Sequence, residues 1–203
     1  MEGHRQIEDR STDREAQLRA VTVGELKPLA GRVQIEEYDP AWADLFARAA
    51  SKIRRALGEL AIAVEHVGST SVPGLAAKPI IDVVLVVADS SDEVPYVPPL
   101  EAAGYRLQIR EPDWHQHRMF KGTNPNLNLH VFSAGCPEVD SMLRFRDWLR
   151  THDEDRDLYQ RAKLELAGRD WTYMQDYADA KTAVVAEIMK RASVAPPAPE
   201  APA

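Results

Sequence analysis

An aspartate inside an apolar run is the residue of this chain most in need of a chemical reason. Asp82 lies between Ile80-Ile81 and Val83-Val84-Leu85-Val86-Val87. If that run is a strand, a carboxylate is held in or beside an apolar layer, where an unpaired charge is strongly disfavoured. Upstream, Gly68-Ser69-Thr70 interrupts the preceding apolar stretch. A glycine there lets backbone approach a ligand closely, and N–H groups opening the following turn make a resting place for a phosphate. The same residues would serve equally as a plain tight turn capped by Ser69. Asp82 likewise has two readings. It is either a carboxylate satisfied by backbone or arginine donors, or a ligand for Mg²⁺, which binds through one or two carboxylates together with substrate phosphates.

Cations and histidines in the same region extend both readings. Lys78 stands between the turn and Asp82, so its ammonium could reach phosphates gathered there; Arg118 could pair bidentately with a phosphate or with Asp82. Either would otherwise be a solvated surface charge. His130 could act as a general base, touch a phosphate or ligate a metal, or simply pack at a strand end. His115 and His117 are expected on one strand face, but His-x-His without further ligands is a poor zinc signal.

The elements that must position these residues are legible from spacing. Asp39-Pro40 opens a helix in which Trp42, Leu45, Phe46, Ala49, Ile53, Ala56 and Leu57 recur at three- and four-residue spacing, with Gly58 at its end. Strands are predicted over 61–67 and 79–87, a short helix in the later part of 92–103 ending before Gly104, and strands over 105–109, 115–121 and 127–132. The last two are joined by the turn-forming Gly122-Thr123-Asn124-Pro125-Asn126. Beyond Pro137 the period is helical, in three segments marked by Leu143-Trp148-Leu149, Leu158-Ala162-Leu166 and Tyr173-Tyr177-Val184-Ile188. The fold class is α+β: a small mixed β-sheet flanked by helices, with a C-terminal helical extension.

Composition bounds the rest. The 203 residues suit one domain, expected over 21–192; the polar stretch 1–20 and the Pro/Ala tail 193–203 are expected to lack fixed structure. A net charge of −7 argues against broad nucleic-acid binding. The single cysteine, Cys136, excludes an internal disulfide and is read as a buried, inert thiol. No apolar run approaches the about 20 residues needed to span a bilayer, and no signal peptide is evident, so the expected location is the cytoplasm, with no membrane partner.

The segments HVGSTSVPGLAAKPIIDVVLVV, YDPAWADLF, NLHVF and LRFRDWLR resemble the GrpB family, a branch of the nucleotidyltransferase-fold superfamily. The resemblance implies a nucleotidyltransferase-like fold in which the Gly68-Ser69 turn meets a triphosphate. Active members of that superfamily hold two Mg²⁺ ions on two carboxylates one residue apart and a third on a later strand. Here Asp82 occupies the first position, but the second is Val84, and the later strand offers Asn128, His130 and Phe132. His130 and His66 match histidines of the family pattern, and Arg144 or Arg146 of the LRFRDWLR helix could close over a phosphate. Three functions follow. One is a protein binding a nucleoside triphosphate with Mg²⁺ and able to move a nucleotidyl group to a small acceptor. Another is a non-catalytic accessory domain, as in versions fused to a dephospho-CoA kinase. The last is an enzyme using Asp82 and His130 on another phosphate or acyl substrate.

Overall fold

The computed structural model describes residues 2–194, with side chains from residue 12 onward. Of the expected unstructured tail 193–203, Ser193 and Val194 instead end the last helix, and the rest lies outside the described residues. At the other end the expectation of an unstructured 1–20 is corrected: Glu2–Val21 forms helix α1. Its anchors come from distant parts of the chain. Arg14 pairs with Asp176 at 3.0 Å and with Asp179, Leu18 is buried, and Thr22 bridges to Ile109. Local composition cannot reveal partners of that kind.

Helix α2 (Ala41–Leu57) starts where Asp39 Oδ1 accepts from the Ala41 amide at 2.8 Å, and it buries Trp42, Ala49, Ala50, Ile53 and Leu57. The strands follow as β1 (Ala63–Val67), β2 (Ile81–Val87), β3 (Arg106–Glu111), β4 (His117–Thr123) and β5 (Asn126–Ser133), with α3 (Val97–Ala102) between β2 and β3. Their order in the sheet is β1-β2-β5-β4-β3. Only β2 and β5 run parallel; the other neighbours are antiparallel.

Alternation along the strands divides the sheet into two faces. Ile81, Val83, Leu85 and Val87 join Leu127, Leu129 and Val131 in the main core beneath α2 and α3. On the opposite face Val84, Val86 and Phe132 pack with Val139 of α4 (Pro137–Thr151) and with the buried, free Cys136. The same alternation puts Asp82, Asn128 and His130 on that second face, with His117, Met119 and Lys121 of β4 beside them.

Helices α5 (Asp153–Ala167), α6 (Met174–Asp179) and α7 (Thr182–Val194) complete the chain. The third helical segment predicted from sequence is in fact two, α6 and α7, and no Gly or Pro marks the break. Leu149, Tyr159 and Ile188 from α4, α5 and α7 close over Val72 and Leu75, the residues just after the Gly68 turn. At their centre, Asp155 accepts from Trp148 Nε1 at 2.6 Å and pairs with Arg191 at 2.5 Å. The helical tail is thereby fixed against the segment that joins the turn to β2. Among the described residues no helix is long and apolar enough to cross a membrane.

Candidate functional site

The turn and the aspartate converge. Gly68 has φ 70° and ψ −173°, a conformation essentially confined to glycine, and a Cβ on it would stand 2.5 Å from Asp82 Oδ2. A single turn of 3-10 helix over Ser69–Ser71 follows, closed by Ser71 N–H and Ser71 Oγ, which donate to the Gly68 carbonyl at 3.2 and 2.6 Å. Ser69 remains half-exposed toward the cleft, next to the Tyr159 hydroxyl, whose pKa burial raises to about 12. Thr70, by contrast, is turned inward: its Oγ1 lies 3.1 Å from His66 Nε2, so it fixes the turn and its side chain does not face a ligand.

Asp82 heads a row of polar side chains across the second face. Register places it beside Asn128, whose Nδ2 donates to Asp82 Oδ1 at 2.7 Å while its own Oδ1 accepts from Lys121. His130 Nε2 lies 3.8 Å from Asp82 Oδ1, beyond hydrogen-bonding distance. On its other side, His130 Nδ1 is 3.0 Å from His117 Nε2, and His117 Nδ1 is 2.6 Å from Glu111 Oε2. The His117 ring is stacked on His130 and Phe132, with centroids at 5.2 and 4.8 Å. Burial holds the His117 pKa below the ordinary histidine value. Burial opposes the Asp82 charge, yet His130 when protonated, then Asn128 and Lys78, outweigh it and keep the carboxyl below its usual range.

Lys78 lies near Asp82, and two further lysines, which sequence reasoning missed, cluster with it. Lys78 reaches Met174 Sδ at 2.9 Å and sits 5.3 Å from the centre of the Tyr177 ring, which Lys181 approaches to 4.8 Å. Lys163 is 2% exposed, donates to the Ala76 carbonyl and lies 5.0 Å over the Tyr159 ring. Among the described residues none of the three is paired with a carboxylate within salt-bridge distance. Burial, then Lys181, lowers the Lys78 pKa to about 8; burial, then Lys181 and Lys78, lowers that of Lys163 to about 7. A signal for Lys163 existed: it falls on the Tyr159-Lys163-Leu166 stripe of α5, where a helix of this kind buries apolar groups.

Several predicted residues lie elsewhere. Arg118 is on the opposite face, buried, pairing with Glu93 at 2.7 Å and donating to the Gln116 carbonyl at 2.9 Å; it meets neither Asp82 nor the turn. Adjacent strand residues point to opposite faces, so a side chain next to His117 could not join it. His66 faces α2, stacked on Phe46 at 4.7 Å, and burial lowers its pKa to about 4. His115 is not in β4: with φ 54° it belongs to the turn before the strand, so the expected His115-His117 face does not exist. Arg144 is exposed on α4. Arg146 donates to Glu65 Oε2 at 2.9 Å and to the His66 carbonyl at 3.0 Å, while Arg150 donates twice to the Ser71 carbonyl, at 3.0 and 2.8 Å. These two arginines clamp the backbone on either side of Gly68. A separate groove of about 650 Å³, lined by Arg48, Lys52, Arg55 and Asn124, lies against α2 and holds none of the predicted residues.

The donor set does not suit a two-metal centre. Val84 is fully buried against Phe132, Asn128 spends its oxygen on Lys121, and no group of three His, Cys, Asp or Glu side chains able to hold an ion occurs among the described residues. Asp82 alone could supply an oxygen to a magnesium ion arriving on a phosphate ligand.

Comparison with known proteins agrees with this architecture. The family model described as GrpB protein matches residues 32–191. UPF0157 protein BH1888 of Halalkalibacterium halodurans is 60% identical over 90% of this chain and 92% of that protein, and UPF0157 protein SCO7215 of Streptomyces coelicolor is 44% identical over 83% and 88%. A dephospho-CoA kinase of Mycolicibacterium paratuberculosis is 30% identical over 68% of this chain but only 40% of its own length. The crystal structure of conserved protein GrpB from Enterococcus faecalis superimposes with a TM-score of 0.65 at 31% identity, over 78% of this chain and 98% of that one. On this sequence coverage and shared structure, the chain belongs to the GrpB family.

Proposed function

We propose that the cleft binds a nucleoside triphosphate or a closely similar polyphosphate. The phosphates would rest on the Gly68-Ser69 turn and be neutralised by Lys78, Lys163 and Lys181. The observation that carries this reading is Lys163: a nearly fully buried lysine without a carboxylate, beside two further unpaired lysines, is a standing electrostatic cost that an anion would relieve. Asp82 would face the phosphates with at most one oxygen for a substrate-borne Mg²⁺. Transfer of a nucleotidyl group to a small acceptor is the finer reading, with catalysis resting on positioning and charge neutralisation. The buried Val84 favours a second reading, a binding or accessory domain without transfer. Under either, the expected compartment is the cytoplasm.

Calorimetric titration with inorganic tripolyphosphate and with ATP, each with and without Mg²⁺, tests the binding. Wild-type protein is expected to bind, and Lys163→Met and Lys78→Met to weaken binding at least about tenfold, or about 1.4 kcal/mol. Failure of both probes to bind at millimolar concentration would overturn the proposal. Pyrophosphate release across a panel of hydroxyl and amine acceptors then separates transfer from binding alone. Turnover of an acyl or other phosphate substrate that needs no nucleoside triphosphate, and that is lost in both Asp82→Ala and His130→Asn, would instead favour an enzyme acting through Asp82 and His130.

A further inference from the structure

Glu111 lies at the far end of β3 from the lysines, yet it begins a line of contacts that ends at Asp82. Its Oε2 stands 2.6 Å from His117 Nδ1, His117 Nε2 is 3.0 Å from His130 Nδ1, and His130 Nε2 is 3.8 Å from Asp82 Oδ1. The chemistry of the groups fixes where the hydrogens sit. An ionised carboxylate has none to give, so His117 Nδ1–H donates to Glu111. Neutral His117 then has a bare Nε2, and the hydrogen in its bond to His130 must come from His130 Nδ1. Neutral His130 is therefore left with a bare Nε2, turned toward Asp82.

We propose that Glu111 and His117 are positioning residues that lock His130 in this tautomer, making His130 Nε2 the proton acceptor for the hydroxyl or amine of a group-receiving substrate. A second line of hydrogen bonds supports the direction. Lys121 donates to Asn128 and Asn128 donates to Asp82 Oδ1, so hydrogens run toward the cleft on one side and away from it, through His130 and His117, on the other. Where the two lines meet, two acceptors face each other across 3.8 Å without a hydrogen between them. A substrate O–H or N–H approaching this pair from the side could give its hydrogen to His130 Nε2. Glu138 of α4 is another acid that interacts with His130; burial raises its pKa, against the pull of His115 and His130.

The transfer step rests on the phosphate-binding reading above. In it, the substrate O–H bond breaks and an N–H bond forms on His130 Nε2. The oxygen's freed electron pair forms a bond to phosphorus, and the bond from phosphorus to pyrophosphate breaks with its electron pair leaving on pyrophosphate. The resulting imidazolium is held by its Nδ1–H on His117, and through His117 by Glu111.

The tautomers can be read without any ligand, by two-dimensional NMR of protein carrying ¹⁵N-labelled histidine near pH 8, with His130 assigned from the signals lost in His130→Asn. The expected wild-type pattern is a protonated Nδ1 and a bare Nε2 on both His117 and His130. In Glu111→Ala, His117 is expected to donate from Nε2, so that His130 Nε2 shifts from the bare to the protonated pattern although His130 itself is unaltered. A protonated His130 Nε2 in the wild type, or an unchanged His130 in folded Glu111→Ala, would overturn the proposal. A protein that shows the ordered pair but binds neither tripolyphosphate nor ATP would sink the phosphate reading alone.

Discussion

Gly68 and Asp82 occupy adjoining space so closely that neither position tolerates enlargement of the other: a methyl group on Gly68 would meet Asp82 Oδ2 at 2.5 Å and its Cβ at 2.9 Å. The contact joins the end of β1 to the start of β2 and makes the Gly68 turn and the carboxylate one unit. Gly68→Ala is expected to cost about 2 to 3 kcal/mol, part of it backbone conformation and part the collision. Urea denaturation of Gly68→Ala, Asp82→Ala and the double variant checks this. The double variant should relieve the collision with the carboxylate but keep the backbone cost and the tight contact with the Cβ at position 82, so the two substitutions should not add.

Arg118 offers a contrasting test, because its role is confined to the opposite face. Glu93 is also held by Arg110 at 2.7 Å, so removing Arg118 leaves the carboxylate partly compensated, and Arg118→Met is expected to destabilise by about 1 to 2 kcal/mol. Affinity for tripolyphosphate should stay unchanged. A loss of affinity in folded Arg118→Met would contradict the placement of Arg118 away from the cleft.

Lys78 and Lys163 predict proton uptake on ligand binding. With folded pKa values lowered to about 8 and about 7, both are partly neutral near pH 8, and an arriving polyphosphate should restore their charge. Titrations in buffers of different ionisation enthalpy should therefore give different apparent heats, and Lys163→Met should shrink the difference. The same groups act on stability. Unfolded lysine keeps its proton to about pH 10.4, so between roughly 7 and 10.4 the unfolded chain binds more protons and stability should rise with pH.

His66 governs the acid side in the same sense. The folded residue stays neutral down to about 4, whereas unfolded histidine protonates near ~6.5, so acid favours the unfolded chain across that window. Stability should fall as pH drops from about 6.5 toward 4, and His66→Asn should flatten that slope. Thermal melts at closely spaced pH values measure it.

How much of this was visible in the sequence depends on the distance between partners. Helix α2, the Gly68 turn, β2 and the β4–β5 hairpin are written in local spacing and turn chemistry, and the structure keeps them. The pairing of Asp82 with Asn128 depends on parallel register between strands separated by β3 and β4, which no local pattern encodes. No local pattern marks Glu111, because its partner, His117, is reached only through the turn carrying His115 and Gln116 at positive φ. Arg118 could have been placed correctly, since alternation alone sets it against His117. Lys163 was the missed clue: a charge within a buried helical stripe asks the same question as Asp82 within its strand.

The arrangement also sets an order of events during synthesis. Every strand, with Asp82, His130 and Glu111, has been synthesised once β5 is made, while Lys163 and Lys181 arrive only with the last helices. Until then Val72 and Leu75 lack the cover that Leu149, Tyr159 and Ile188 provide. The nascent sheet thus presents an apolar patch beside the Gly68 turn, and the cluster of Lys78, Lys163 and Lys181 is complete only when the helical tail docks.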